Sequence, residues 1–204
     1  MTAARWKFGR LDPPLPVPAN AEQPLPFNAT DIPHSYPPRF AIEKLRSTVT
    51  RIVIGLGEKQ IQLLGELASI LLNAPYHILY VLVVARGGRE EGRYQMSTPL
   101  DRQGLEAFLL RWRQFLEQDG RHHLWVASPP DPTFLVYDRH NVMYVYGDIE
   151  RTAAVLRRLG YSEGSVTIPA PHVHHYHAEC DTDEKELLSA YEWRRVPLRD
   201  GDRE

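Results

Sequence analysis

Nine of the 17 prolines in this 204-residue chain fall before residue 41, at Pro13, Pro14, Pro16, Pro18, Pro24, Pro26, Pro33, Pro37 and Pro38. Proline has no backbone N–H and holds φ near −65°, so this segment cannot sustain a helix and is expected to run extended. Disordered tails are poor in apolar side chains. Here Leu11, Leu15, Val17, Leu25, Phe27, Ile32, Tyr36 and Phe40 are interleaved with the prolines. Residues 1–40 therefore read as an arm that packs on its own body or on a partner, either another protein or a second copy of the chain. Arg10, Pro13 and Pro16 also fit the spacing that SH3-type grooves read. Packing is the preferred reading, because the neighbouring apolar residues gain from burial.

Residues 41–204 read as one domain with one core. The β-branched stretch 48–54 predicts a strand, ended by Gly55 and Gly57. Ile61, Leu64, Leu67, Ile70 and Leu71 recur at helical spacing and predict an amphipathic helix over 58–73. Segment 76–85 is nearly all apolar, as in a central strand covered on both faces. A charged, glycine-containing turn follows, with a short return strand at 94–96. Leu105, Phe108, Leu109, Trp112 and Leu116 define a second helix, opened near Asp101 and closed by Gly120.

Strands are expected at 123–127, 133–137 and 141–146, the last two joined by the turn Asp138-Arg139-His140-Asn141. A third helix over 149–159 has Asp148 as N-cap and Gly160 as stop. A last strand is expected at 166–168. A final helix follows, with Asp181, Asp183, Glu184 and Glu186 at its start and Arg194 and Arg195 at its end, both suiting the helix dipole. Adjacent antiparallel strands with separate helices indicate an α+β fold. The expectation is a single domain with a mixed, mainly antiparallel sheet flanked by about four helices.

The strongest chemical signal is the run from Pro171 to Cys180, which holds His172, His174, His175, His177, Glu179 and the only cysteine. On extended backbone, His172 and His174 project to one side, and His175, His177 and Glu179 to the other. Either imidazole pair can share a metal ion, with a third ligand drawn from Glu179, Cys180, His122, His123 or His140. Zinc, iron or manganese suits such a donor set. His172-x-His174 followed by Glu179 resembles three residues of the first metal motif of the cupin superfamily. The flanking glycine spacing and a second histidine motif are missing, so a cupin is not expected.

Other motifs weigh less. Gly160-Tyr161-Ser162-Glu163-Gly164 spells a nucleophile elbow, but a helix precedes and a strand follows, the reverse of what that elbow needs. Gly55-Leu56-Gly57 fits neither a P-loop nor a dinucleotide fingerprint. Asp138 and His140 are close enough to form an acid–base pair, although a hairpin turn needs the same residue types.

With 24 basic against 26 acidic residues the formal charge is −2, which disfavours general nucleic-acid binding. Protonating all nine histidines would carry it to 24 + 9 − 26 = +7. Arg111, Arg113, Arg157 and Arg158 read as solvated helix faces. The apolar run 78–85 is too short to cross a bilayer. Prolines rather than an apolar stretch follow Arg5 and Lys7, and Cys180 has no disulfide partner, so a cytoplasmic protein is expected.

Three functional expectations result. The first is a cytoplasmic interaction protein of accessory or toxin-neutralising type, since no motif of catalytic strength survives. The alternative is a metal-dependent, hydrolase-like enzyme built on residues 172–180, with Glu179, His140 and Asp138 as candidate catalytic groups. It requires a histidine from elsewhere in the chain to converge on the run. A pH-sensing interface is the third, because clustered imidazoles repel one another when protonated.

Overall fold

A computed structural model of the protein describes residues 7–12, 30–46, 49–129 and 131–203. Its first strands are β1 (Phe8–Asp12), β2 (Thr30–Pro33), β3 (Arg39–Arg46) and β4 (Val49–Gly55), followed by helix α1 (Gln60–Leu71). Strands β5 (His77–Leu82) and β6 (Gly92–Met96) lead to α2 (Arg102–Gln118). Next come β7 (His122–Ala127), β8 (Phe134–Tyr137), β9 (Val142–Tyr146) and α3 (Ile149–Arg158). The chain continues through β10 (Ser162–Glu163), β11 (His172–His174), α4 (Cys180–Ala190) and β12 (Trp193–Val196).

The architecture is α+β. Nine strands form one sheet in the order β10-β3-β4-β9-β8-β7-β5-β6-β12. Every pairing in it is antiparallel except the short parallel contact of β10 with β3. Strand alternation sends one set of side chains towards the helices: Ile52 and Ile54, Met143 and Val145, Leu135 and Tyr137, Leu124 and Val126, Ile78 and Tyr80. These pack with Leu64 and Leu67 of α1, Phe108 and Trp112 of α2, and Val155 and Leu156 of α3. The opposite face carries a much smaller cluster of Tyr36, Val53 and Val142, with Tyr144, Val166 and Ile168 against it.

The helix boundaries follow the local signals. Asp101 caps α2 by accepting from the Gly104 N–H, and Asp148 caps α3 by accepting from the Arg151 N–H. Two expectations are corrected. Segment 166–168 forms no ladder strand; Val166 and Ile168 instead fill the small cluster on the helix-free face. The last helix stops at Ala190, and Arg194 and Arg195 lie on the edge strand β12 against β6. Tyr191 turns the backbone to the extended region, and the aromatic side chain of Trp193 joins the main core, which a continuing helix would not permit. The expected fully covered strand is β5, interior to the sheet, yet His77 and Leu79 on its helix-free face are only half-buried.

A second, three-stranded sheet has the order β11-β1-β2. It brings residues 8–12 and 30–33 of the N-terminal region onto the histidine run, pairing Phe8 with His174 and Arg10 with His172. The stretch 13–29, with six of the nine N-terminal prolines, Pro13 and Pro16 of the SH3-type spacing among them, lies outside the described residues, whereas Arg10 is in β1. Gly120, after α2, anchors this sheet: its N–H donates to the His175 carbonyl at 2.9 Å, and His175 N–H donates to the Lys7 carbonyl at 3.0 Å. A Cβ at Gly120 would stand 2.5 Å from the Lys7 oxygen, so only glycine permits this approach. No helix among the described residues is long and apolar enough to cross a membrane.

Candidate metal centre

The site begins with two local rules. Alternation along β11 places His172 and His174 on one side, as their spacing predicts. The β8–β9 turn supplies the third imidazole. Asp138 opens that turn: its Oδ1 accepts the His140 backbone N–H at 2.6 Å, and its own N–H donates to the Val142 carbonyl at 3.0 Å. Asn141 takes the left-handed region at φ 56°, with its side-chain oxygen accepting from the buried Tyr137 hydroxyl at 2.9 Å. The turn thereby aims His140 at β11.

The three rings stand at mutual centroid distances of 4.7, 5.1 and 5.3 Å, each steeply inclined to the others. One ligating nitrogen from each of His140, His172 and His174 lies within 4.8 Å of the others. A tetrahedral zinc ion with Zn–N near 2.1 Å brings its donors to about 3.4 Å apart, so modest ring rotations close the site. His140 is buried, His174 half-buried and His172 exposed. The triangle is thus walled on one side and open to solvent on another.

Hydrogen bonds set which nitrogens carry the proton. The His140 Nδ1 lies 2.9 Å from Asp138 Oδ2, and the His172 Nδ1 lies 2.9 Å from the Pro169 carbonyl oxygen. Both oxygens accept, so both Nδ1 atoms donate and both Nε2 atoms carry a lone pair. This carboxylate or carbonyl behind a ligating imidazole is the usual support of a metal-bound histidine. Burial holds His174 down to about 3, with Arg139, His140 and His172 adding to the effect, so it stays a neutral donor. Burial alone would raise Asp138. The hydrogen bonds and charge of His140 more than offset it, and Asp138 lies below the usual carboxylate range.

Asp138 and His140, weighed in the sequence as either a turn or an acid–base pair, form the turn and are also in direct side-chain contact. One carboxylate oxygen shapes the turn while the other holds the ring. The remaining candidates lie elsewhere. His175 and His177 project away from the triangle and stack at 6.0 Å on each other. Glu179 is the exposed N-cap of α4, and Cys180 is buried in the main core. His122 points to the helical face, between Tyr80 and Phe115, where burial drives it well below its ordinary value. His123 points to the other face and donates through Nε2 to the Asp202 carbonyl at 3.0 Å. Ser162 is exposed on β10, without a histidine partner among the described residues.

Sequence reasoning missed the Pro169 carbonyl, whose role rests on backbone geometry alone. It also missed Lys7, which is fully buried with its Nζ 3.6 Å above the Tyr137 ring. Burial lowers Lys7 to about 7, and Asp138 is the foremost of the charges that oppose the shift.

No family model, curated protein or solved structure matches the chain.

Proposed function

We propose that the protein is a metal-dependent enzyme of hydrolytic type that holds one divalent transition ion, zinc by preference, on His140, His172 and His174. The observation that carries this reading is the convergence of three imidazoles from two distant segments, with the Nδ1 atoms of two of them engaged by Asp138 and the Pro169 carbonyl, which leaves the lone pair on Nε2. Three protein ligands with one open side are the arrangement of catalytic rather than structural zinc. An ion so held lowers the pKa of its water to near neutrality and supplies a nucleophile. Asp138 serves as the positioning residue for His140. Glu179 has no part in this reading.

The test is metal content by mass spectrometry on untagged protein, followed by cobalt substitution. The expected result is near-stoichiometric metal, lost in His174→Ala, and a visible cobalt spectrum of four-coordinate type. Esters, phosphoesters and amides are then screened with the metal-loaded protein. Protein that neither carries nor takes up zinc, manganese or cobalt overturns the proposal.

A second reading, the interaction protein, has its own support. Ile42, Leu45 and Val49 are each exposed around the β3–β4 hairpin, Ile42 on the helix-bearing face of the sheet and Val49 on the other. Exposed apolar side chains at a hairpin are available for contact with another protein. A metal-free protein that self-associates through this hairpin would favour it.

A further inference from the structure

The helix-free face of the large sheet carries a second site. Alternation places Arg51 of β4, Tyr144 and Tyr146 of β9, Val136 of β8, His123 and Trp125 of β7 and Arg93 of β6 on this face. With Asp138 they line a cavity of about 430 Å³, which Arg199, Gly201 and Asp202 close from the C-terminal segment. That volume suits a small molecule.

The chemistry of the walls is specific. Trp125, Phe134 and Tyr146 form a stacked row across three neighbouring strands, with centroids 5.7 and 4.5 Å apart and interplanar angles of 3° and 10°. Two guanidinium groups lie over aromatic rings of this face, Arg51 at 4.1 Å from the Tyr144 ring and Arg93 at 5.0 Å from the Trp125 ring. Arg51 is braced by Glu43 and by the Tyr146 hydroxyl. Arg93 donates through Nη1 to Asp202 Oδ1 at 2.6 Å, and Asp202 Oδ2 accepts the Arg199 backbone N–H at 2.7 Å. Asp138 is already engaged by His140 and Asp202 by Arg93, so both lining carboxylates are taken up within the protein. A guanidinium has five N–H donors, and the side-chain bonds seen for Arg93 use one of them.

A held, buried guanidinium such as that of Arg93 beside an aromatic ring recognises an anion attached to a planar ring, and Arg199 stands exposed at the rim of the same cavity. We infer that this cavity binds a small ring-bearing anion, a phosphate or carboxylate on a planar aromatic or nucleobase group, with the anion on Arg93 and Arg199 and the ring beside the Trp125 side chain. The site is separate from the histidine triangle and does not depend on it. The two meet only at Asp138, which lines the cavity and holds His140 from behind.

The experiment is calorimetric titration of the full chain, with tryptophan fluorescence followed in parallel and compared with that of Trp125→Ala. The probes are adenosine 5′-monophosphate, adenosine, 4-hydroxybenzoate and inorganic phosphate. At least one of the two ring-bearing anions is expected to bind with Kd of roughly 1 mM or tighter, and at least tenfold more tightly than adenosine or phosphate. Preference between the nucleotide and the benzoate identifies the anion. Arg199→Gln, at an exposed position, and Trp125→Ala should each weaken binding about fivefold or more while circular dichroism stays unchanged. His172→Ala should leave it within about twofold, so failure of the metal reading leaves this one standing. Neither anion binding with Kd of about 1 mM or tighter, or binding that both cavity variants leave intact, overturns the inference.

Discussion

Asp138→Asn separates a carboxylate that orients a metal ligand from one that merely shapes a turn. Asp138 offers two acceptors and both are used, Oδ1 by the His140 backbone N–H and Oδ2 by the His140 Nδ1–H. Asparagine is nearly isosteric but has one acceptor. If its oxygen keeps the turn, its amide faces Nδ1 as a donor, and the ring must move its proton to Nε2, the ligating atom. If its oxygen keeps the ring, the buried backbone N–H loses its partner. Loss of such support weakens metal binding about 10- to 100-fold, or about 1.4 to 2.7 kcal/mol. An unmet buried donor costs about 1 to 3 kcal/mol of stability. The assay is competition for zinc against a chelating dye, with metal-free protein, alongside thermal melts. His140→Ala sets the full loss. If Asp138→Asn binds zinc as tightly as the wild type while His140→Ala does not, the positioning role is refuted.

His175→Ala is expected to leave zinc affinity within about twofold, because its ring lies outside the triangle; a tenfold loss in the same dye assay would show that the ligand set is misassigned. Lys7 gives a pH signature. Its folded value is about 7 against an ordinary 10.5, so the unfolded chain binds one more proton between these values and stability must rise with pH through that window. The full penalty, present below pH 7, is of order 4 to 5 kcal/mol. Lys7→Met should flatten the rise and stabilise the protein near neutrality by about 2 to 4 kcal/mol, read from denaturant melts at pH 7 and 10; an unchanged slope would count against a buried neutral amine. Arg121 is fully buried, 2.8 Å from Asp119 Oδ1, 2.9 Å from Asp181 and 3.2 Å from Glu184. Arg121→Met should cost about 3 to 5 kcal/mol by stranding buried carboxylates; a loss below about 1 kcal/mol in the same melts would show that they are solvated.

Much of the secondary structure was legible because its signals are local. Aspartates at 101 and 148 accept from N–H groups three residues on, and the apolar spacing of 61–71 can bury one face only as a helix. The failures occurred where partners decide. β3 lacks a decisive pattern of its own and is a strand because β4 lies beside it. Residues 166–168 look like a strand but find no ladder partner. Arg194 and Arg195 suit a helix end, yet β6 offered an open edge and the last segment paired with it.

The histidine site divides in the same way. Alternation within one short strand put His172 and His174 on a common side, a matter of backbone geometry that two neighbouring residues settle between themselves. The choice of third ligand among Glu179, Cys180, His122, His123 and His140 had no such local rule. It was decided when β11 paired with β1 rather than with the large sheet, and when the β8–β9 turn brought His140 against it. Side-chain direction is inherited from the nearest few residues, whereas the meeting of remote segments follows from which strand pairings bury the most apolar surface and leave the fewest unpaired backbone groups.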